Sequence, residues 1–214
     1  MASKKRKLAI HKKQKRKKLS PVDALIQLTD RRLEPKHYNK LFGEILRTRN
    51  SRGAGILIGT YVENSLQSAL ERWLHISDKK RRALFGSNAP IGTFSNKIRI
   101  AYAAGIIGNE MYDTLDKIRL IRNAFAHARI SVSFKTKEII DVCALLKIPI
   151  PLFPFHNPAL YAKTTRGHFT ETCFVVSHNL LFAALTNPHI IDTKYITIPV
   201  DQNFEVILRR KPLP

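Results

Sequence analysis

Residues 54–76 read AGILIGTYVENSLQSALERWLHI, and their spacing decides the fold. Ile58, Val62, Leu66, Ala69 and Trp73 fall on one stripe of an α-helix, while Glu63, Asn64, Gln67 and Glu71 occupy the other side. The pattern predicts a long amphipathic helix from Ala54 to Ile76, the spine of a helical protein. Gly53, Gly55 and Gly59 superficially suggest a dinucleotide-binding fingerprint. Residues 47–52 (RTRNSR) are no buried strand, however, and the glycine spacing is off by one. Gly55 and Gly59 are better read as places where a second helix backbone comes close.

Helix signals continue on both sides of this stretch. Ser20-Pro21-Val22-Asp23 combines an N-cap serine, a proline at the first helical position and an acid three residues on, so a helix should run from here to about Leu33. Pro35 opens another, to about Thr48. Ser77 or Asp78 restarts a short, basic one. Thr93 or Phe94 begins a helix that should reach Ile107 and stop at Gly108, and Asn109 begins the next. Lys137–Leu146 and Gly167–Leu185 complete the set, the last presenting Phe169, Phe174, Val175, Leu181 and Leu185 to the core in a broad pattern. Pro149, Pro151, Pro154 and Pro158 make the intervening stretch an extended connection. Tyr195–Ile198 could form a lone strand. The expected fold is all-α: a multi-helix bundle over residues 19–187, a disordered basic arm at 1–18, and an irregular C-terminal extension at 188–214.

Charge narrows the partners. The chain has 214 residues and a formal net charge of +21. Lys4, Lys5, Arg6, Lys7, Lys12, Lys13, Lys15, Arg16, Lys17 and Lys18 crowd the arm without one acid. The arm should repel itself and remain disordered when free. The other 196 residues still carry 27 basic against 16 acidic side chains. A polyanion, DNA or RNA held mostly nonspecifically through the arm, is the economical partner, and Lys79, Lys80, Arg81 and Arg82 offer a second basic run. No stretch looks apolar enough to span a membrane; the best, Cys173–Leu185, contains His178 and Asn179. A cytoplasmic protein is expected. Cys143 and Cys173 should be free buried thiols, too few for a disulfide framework or a zinc module. The scattered histidines make no metal-ligand pattern, and no cofactor or metal is called for.

The chemistry-bearing segment is Arg122-Asn123-Ala124-Phe125-Ala126-His127. Met111, Leu115, Ile118, Arg122 and Phe125 form one helical stripe, so Arg122 should be partly buried. A guanidinium does not shed its proton when desolvated, so it needs an anion: a carboxylate such as Glu63, a partner subunit, or a bound phosphate. An arginine for phosphate charge and a histidine able to move a proton near neutral pH would suffice for metal-free RNA cleavage. Equally, Arg122 could pair with a buried acid, while His127, near a helix C-terminus, favours the dipole there.

Ala83-Leu84-Phe85-Gly86, Ala89-Pro90-Ile91-Gly92-Thr93-Phe94-Ser95-Asn96-Lys97-Ile98, Ala101–Ile107 and Arg122–His127, in that order, resemble the mannitol operon repressor family. The resemblance covers about Gly53 to Arg129, and the Pro-Ile-Gly-Thr-Phe-Ser stretch is its specific part. It implies an all-helical bacterial regulator that represses transcription, acting through other proteins where no DNA-reading element is present. The basic arm lies outside the family pattern. The Arg122–His127 segment is also similar to the signature of HEPN domains, helical nucleases with a composite Arg/His site across a dimer. That resemblance implies Arg122 on the scissile phosphate, His127 as base or acid on the ribose 2′-OH, and Asn123 orienting one of them. The expectation is therefore a nucleic-acid-associated repressor or co-repressor, homodimeric, with a possible protein partner. The alternative is a metal-independent endoribonuclease.

Overall fold

The computed structural model describes residues 20–29, 35–148 and 164–186. The arm, the proline-bearing stretch after residue 148, and the extension with Tyr195–Ile198 lie outside them. The chain divides into two compact units, Met1–Arg32 and Leu33–Pro214. The described part of the first is helix α1 (Pro21–Thr29). Its start is built as the sequence predicts: the Asp23 N–H donates to Ser20 Oγ at 3.1 Å, and the Ser20 hydroxyl donates to the Asp23 carboxylate at 2.7 Å.

The second unit holds α2 (Pro35–Arg47), α3 (Ser51–Trp73), α4 (Asp78–Phe85), α5 (Phe94–Ala103), α6 (Asn109–His127), α7 (Lys137–Ala144) and α8 (Thr165–Thr186). No β-strand occurs among the described residues. Helix α3 is the spine: α2, α5, α6 and α8 all pack on it, while α7 joins α6 to α8. It starts three residues earlier than its apolar pattern, because Asn50 caps it, accepting from the N–H groups of Arg52 at 2.8 Å and Gly53 at 3.2 Å.

Four packed neighbours bury more of α3 than one stripe. Ile58, Val62, Leu66 and Ala69 are in the core, as their spacing requires, and Trp73 packs against it partly buried. Glu63 and Glu71 are buried too, which corrects their assignment to an outer face. Each carboxylate meets cations from other helices, and such pairing offsets the cost of desolvating a charge. Glu71 accepts from Arg81 Nε of α4 at 2.5 Å and from Gln67 at 2.8 Å; the partners of Glu63 belong to the candidate site.

Helix α5 also ends earlier than expected. Gly105, at φ +67°, sits in the left-handed region and turns the chain, with its N–H on Tyr102 O at 2.9 Å and that of Ile106 on Ala101 O at 2.8 Å. These two bonds are a Schellman stop, which favours glycine. Gly108, the stop expected from sequence, has an ordinary φ of −83° and precedes α6 as its N-cap.

Helix α6 crosses α3 at the two glycines. A Cβ on Gly59 would lie 2.5 Å from Cβ of Arg122, and one on Gly55 would overlap the Phe125 ring. Phe125 is wholly buried, and an aromatic chain continues through Phe134, 4.8 Å away between ring centres, to Phe169 of α8 at a further 5.7 Å. Gly55→Ala should therefore push α6 outward and cost about 1–3 kcal/mol, the usual range for overpacking a tight core. Urea unfolding would check this; an unchanged midpoint would contradict the close crossing.

Helix α8 shows why its apolar pattern is broad. From Phe169 to Leu180 nearly every residue is buried, so no single stripe stands out. Its threonines fit this setting by bonding back along the helix: Thr170 donates to Arg166 O at 2.7 Å and Thr172 to His168 O at 2.9 Å. Cys143 and Cys173 are free and buried, and burial pushes the Cys143 thiol up to about 12 and that of Cys173 well above its ordinary value. Neither is suited to act as a thiolate.

Candidate functional site

The C-terminal half of α6 carries the Arg-Asn-x-x-x-His segment. The stripe beneath it is as the spacing predicts: Met111, Leu115, Ile118 and Phe125 are fully buried, and the Arg122 side chain is 26% exposed. Gly59 makes room for the stem of Arg122 against α3. The guanidinium then reaches a carboxylate of the same protein: Arg122 Nη2 donates to Glu63 Oε2 at 2.9 Å. The other oxygen, Oε1, accepts from Lys97 Nζ of α5 at 2.7 Å, and Lys97 is only 4% exposed. One carboxylate thus serves two cations from two helices, locking α3, α5 and α6 together.

The same grip takes up Asn123, whose Oδ1 accepts from Arg122 Nη1 at 3.0 Å. His127 lies elsewhere. It is the last residue of α6 and is exposed. Five residues along an α-helix rotate a side chain by about 140°, so His127 projects from a different face than Arg122. The four residues from Asn123 rotate it by only about 40°, which leaves Asn123 and His127 on neighbouring positions of one face. Of the three residues proposed for catalysis, two are joined by a hydrogen bond and the third faces solvent. The arrangement can clamp helices, and the bonds that make the clamp run through Glu63, Lys97, Arg122 and Asn123.

Among the other predicted binding residues, Lys79, Lys80 and Arg82 are exposed on α4, whereas Arg81 is folded back onto Glu71. The ten cations of the arm lie outside the described residues. Lys97 joins the cluster without having been expected from sequence; its signal is that Phe94, Lys97, Ile98 and Ala101 share a helical stripe in which lysine is the odd residue. Arg52 was missed as well. Its Nη2 donates to Ala128 O at 2.6 Å and Ile130 O at 3.1 Å, so the first turn of α3 is tied to the chain leaving α6. Its signal was a cation beside an N-cap, placed to meet the carbonyl end of another helix. Among the described residues no group of three or more His, Cys, Asp or Glu side chains converges as metal ligands would. No described helix is long and apolar enough to cross a membrane.

No protein-family model and no curated protein matches the chain. Among solved structures, the chain is similar to one in the X-ray structure of the MtlR-HPr complex from Escherichia coli, with 17% identity over 66% of this chain and 99% of that one, at a TM-score of 0.48. The likeness is distant.

Proposed function

We propose that the chain is a cytoplasmic, nucleic-acid-associated transcriptional regulator, a repressor or co-repressor of the mannitol-repressor type, which binds nucleic acid without cutting it. The type rests on the sequence resemblance running from Ala83 to His127. The observation that carries the choice against a nuclease is the hold of Glu63 on Arg122, because an arginine already paired with a carboxylate has less charge to offer a scissile phosphate. Asn123 accepts a hydrogen bond from that arginine, and His127 is exposed at the end of the helix. The nuclease alternative would need two copies of the chain to bring His127 of one to Arg122 of the other. A homodimer and a protein partner in repression belong to the regulator reading as well.

Affinity in this reading comes mainly from the arm, whose ten cations follow one another without an intervening acid. Each duplex phosphate that a cation neutralises adds about 0.9 to the steepness with which log affinity falls against log salt. Deleting residues 1–18 should flatten that slope markedly in fluorescence-anisotropy titrations with mixed-sequence DNA and RNA, while the thermal midpoint stays nearly unchanged. A slope equal to that of the full chain would move the main contact off the arm.

A further inference from the structure

We propose that the folded unit has a phosphate-binding site of its own for a single-stranded nucleic acid, in the cleft where the chain leaves α6 beside the start of α3. The cleft is shallow and open to solvent, with a volume of about 550 Å³, and its walls include Ser51, Arg52, Arg129, Ser131 and Ser133. Among the described residues, none that lines it is acidic. The two segments that supply the walls reinforce this sign: residues 45–53 and 127–136 contain Arg47, Arg49, Arg52, Arg129 and Lys135 and no Asp or Glu. Several other basic side chains of the unit are paired with carboxylates, as at Glu71–Arg81, Asp116–Arg119 and Lys137–Asp141, although Lys79, Lys80 and Arg82 form a further exposed basic run on α4.

The position makes this concentration of charge informative. A helix C-terminus exposes carbonyl oxygens and repels anions. Here Arg52 reaches across and donates to the carbonyl of Ala128, the C-cap of α6, and to that of Ile130 just beyond it, so part of the negative end of α6 is already answered from within the protein. Arg129 remains exposed at the same place, available to an incoming phosphate. Hydroxyls complete the donor set. Ser133 Oγ accepts from the Lys135 N–H at 3.1 Å, which leaves its own proton to donate.

The cleft suits a strand better than a free anion. Ile130, 73% exposed, and Val132 form an apolar part of its wall. A lone phosphate has no use for that surface, whereas the sugar or an unpaired base of a strand can lie on it. The inference rests on the nucleic-acid reading above and adds a second binding site, on the folded unit, to that of the arm.

The test uses the full chain and a short, fluorescein-labelled single-stranded RNA of mixed sequence. Arg129→Glu should lower affinity several-fold and reduce the salt slope by about 0.7 for each single-strand phosphate that is no longer neutralised. Its circular dichroism should match that of the parent, since the side chain is exposed. Arg72→Glu, an exposed position in the last turn of α3 at the far end from the cleft, makes the same charge change and should cost clearly less. Arg129→Glu with the parent's affinity and slope, or an equal loss in Arg72→Glu, would overturn the cleft and leave RNA binding to the arm. Inorganic phosphate separates the two sources of the anion: phosphate binding that disappears in Arg129→Glu while RNA affinity stays intact would make this a free-anion pocket and overturn the strand assignment. A parent that binds no RNA at all would overturn the nucleic-acid reading itself, and this site with it.

Discussion

Glu63→Ala is expected to destabilise the fold by about 3–5 kcal/mol, the range seen when one partner of a buried ion pair is removed. The size follows from what remains. Lys97, 4% exposed, and the guanidinium of Arg122 would face each other across α3, α5 and α6 with no anion between them. Arg122→Ala should cost less, because Lys97 keeps its 2.7 Å bond to Glu63 and the arginine side chain is a quarter exposed. Urea unfolding of the two variants should therefore rank them in that order. A Glu63→Ala protein within about 1 kcal/mol of the parent, the value typical of an exposed pair, would contradict the clamp.

Glu171→Gln should change stability in a pH-dependent way. Glu171 is 2% exposed in the middle of α8, and burial raises its carboxyl from 4.5 to about 7. The folded protein keeps this proton where the unfolded chain has released it. With a folded pKa above the unfolded one, the penalty is negligible below the unfolded value, grows as pH rises from 4.5 to about 7, and is constant beyond. A shift of that size corresponds to about 3 kcal/mol. Glutamine cannot ionise, so the variant should be more stable than the parent by up to that amount at about pH 8 and nearly equal to it at about pH 4. A difference that does not vary between those pH values would show that Glu171 holds its charge in the fold.

Much of this architecture was legible from residue spacing. Ile58, Val62, Leu66 and Ala69 announced α3, and Met111, Leu115, Ile118 and Phe125 announced the inner face of α6, because a helix repeat is a local property. Gly55 and Gly59 were readable as a close helix crossing for the same reason. The burial of Arg122 could be inferred from its place on an apolar stripe, and Glu63 could be named as a candidate partner. The burial of Glu63 and Glu71 could not be read from α3 alone, since it depends on cations brought by α4, α5 and α6. The end of α5 is not legible in the sequence, because either Gly105 or Gly108 can stop a helix; the Schellman bonds formed at Gly105 decide between them. Helix α8 gave a weak pattern because burial around the whole helix erases the contrast between faces. His127 and Arg122 are close in sequence and part of one motif, yet helix rotation separates them.

In the proposed function Arg122 holds the bundle together and the protein retains nucleic acid without cleaving it. The most direct test incubates purified full-length protein with a varied RNA pool in the presence of a chelator and reads both mobility and strand length. The account predicts RNA retarded by the protein and recovered at full length, from the parent and from His127→Ala alike. RNA shortened by the parent and left whole by His127→Ala, with folding intact, would contradict it.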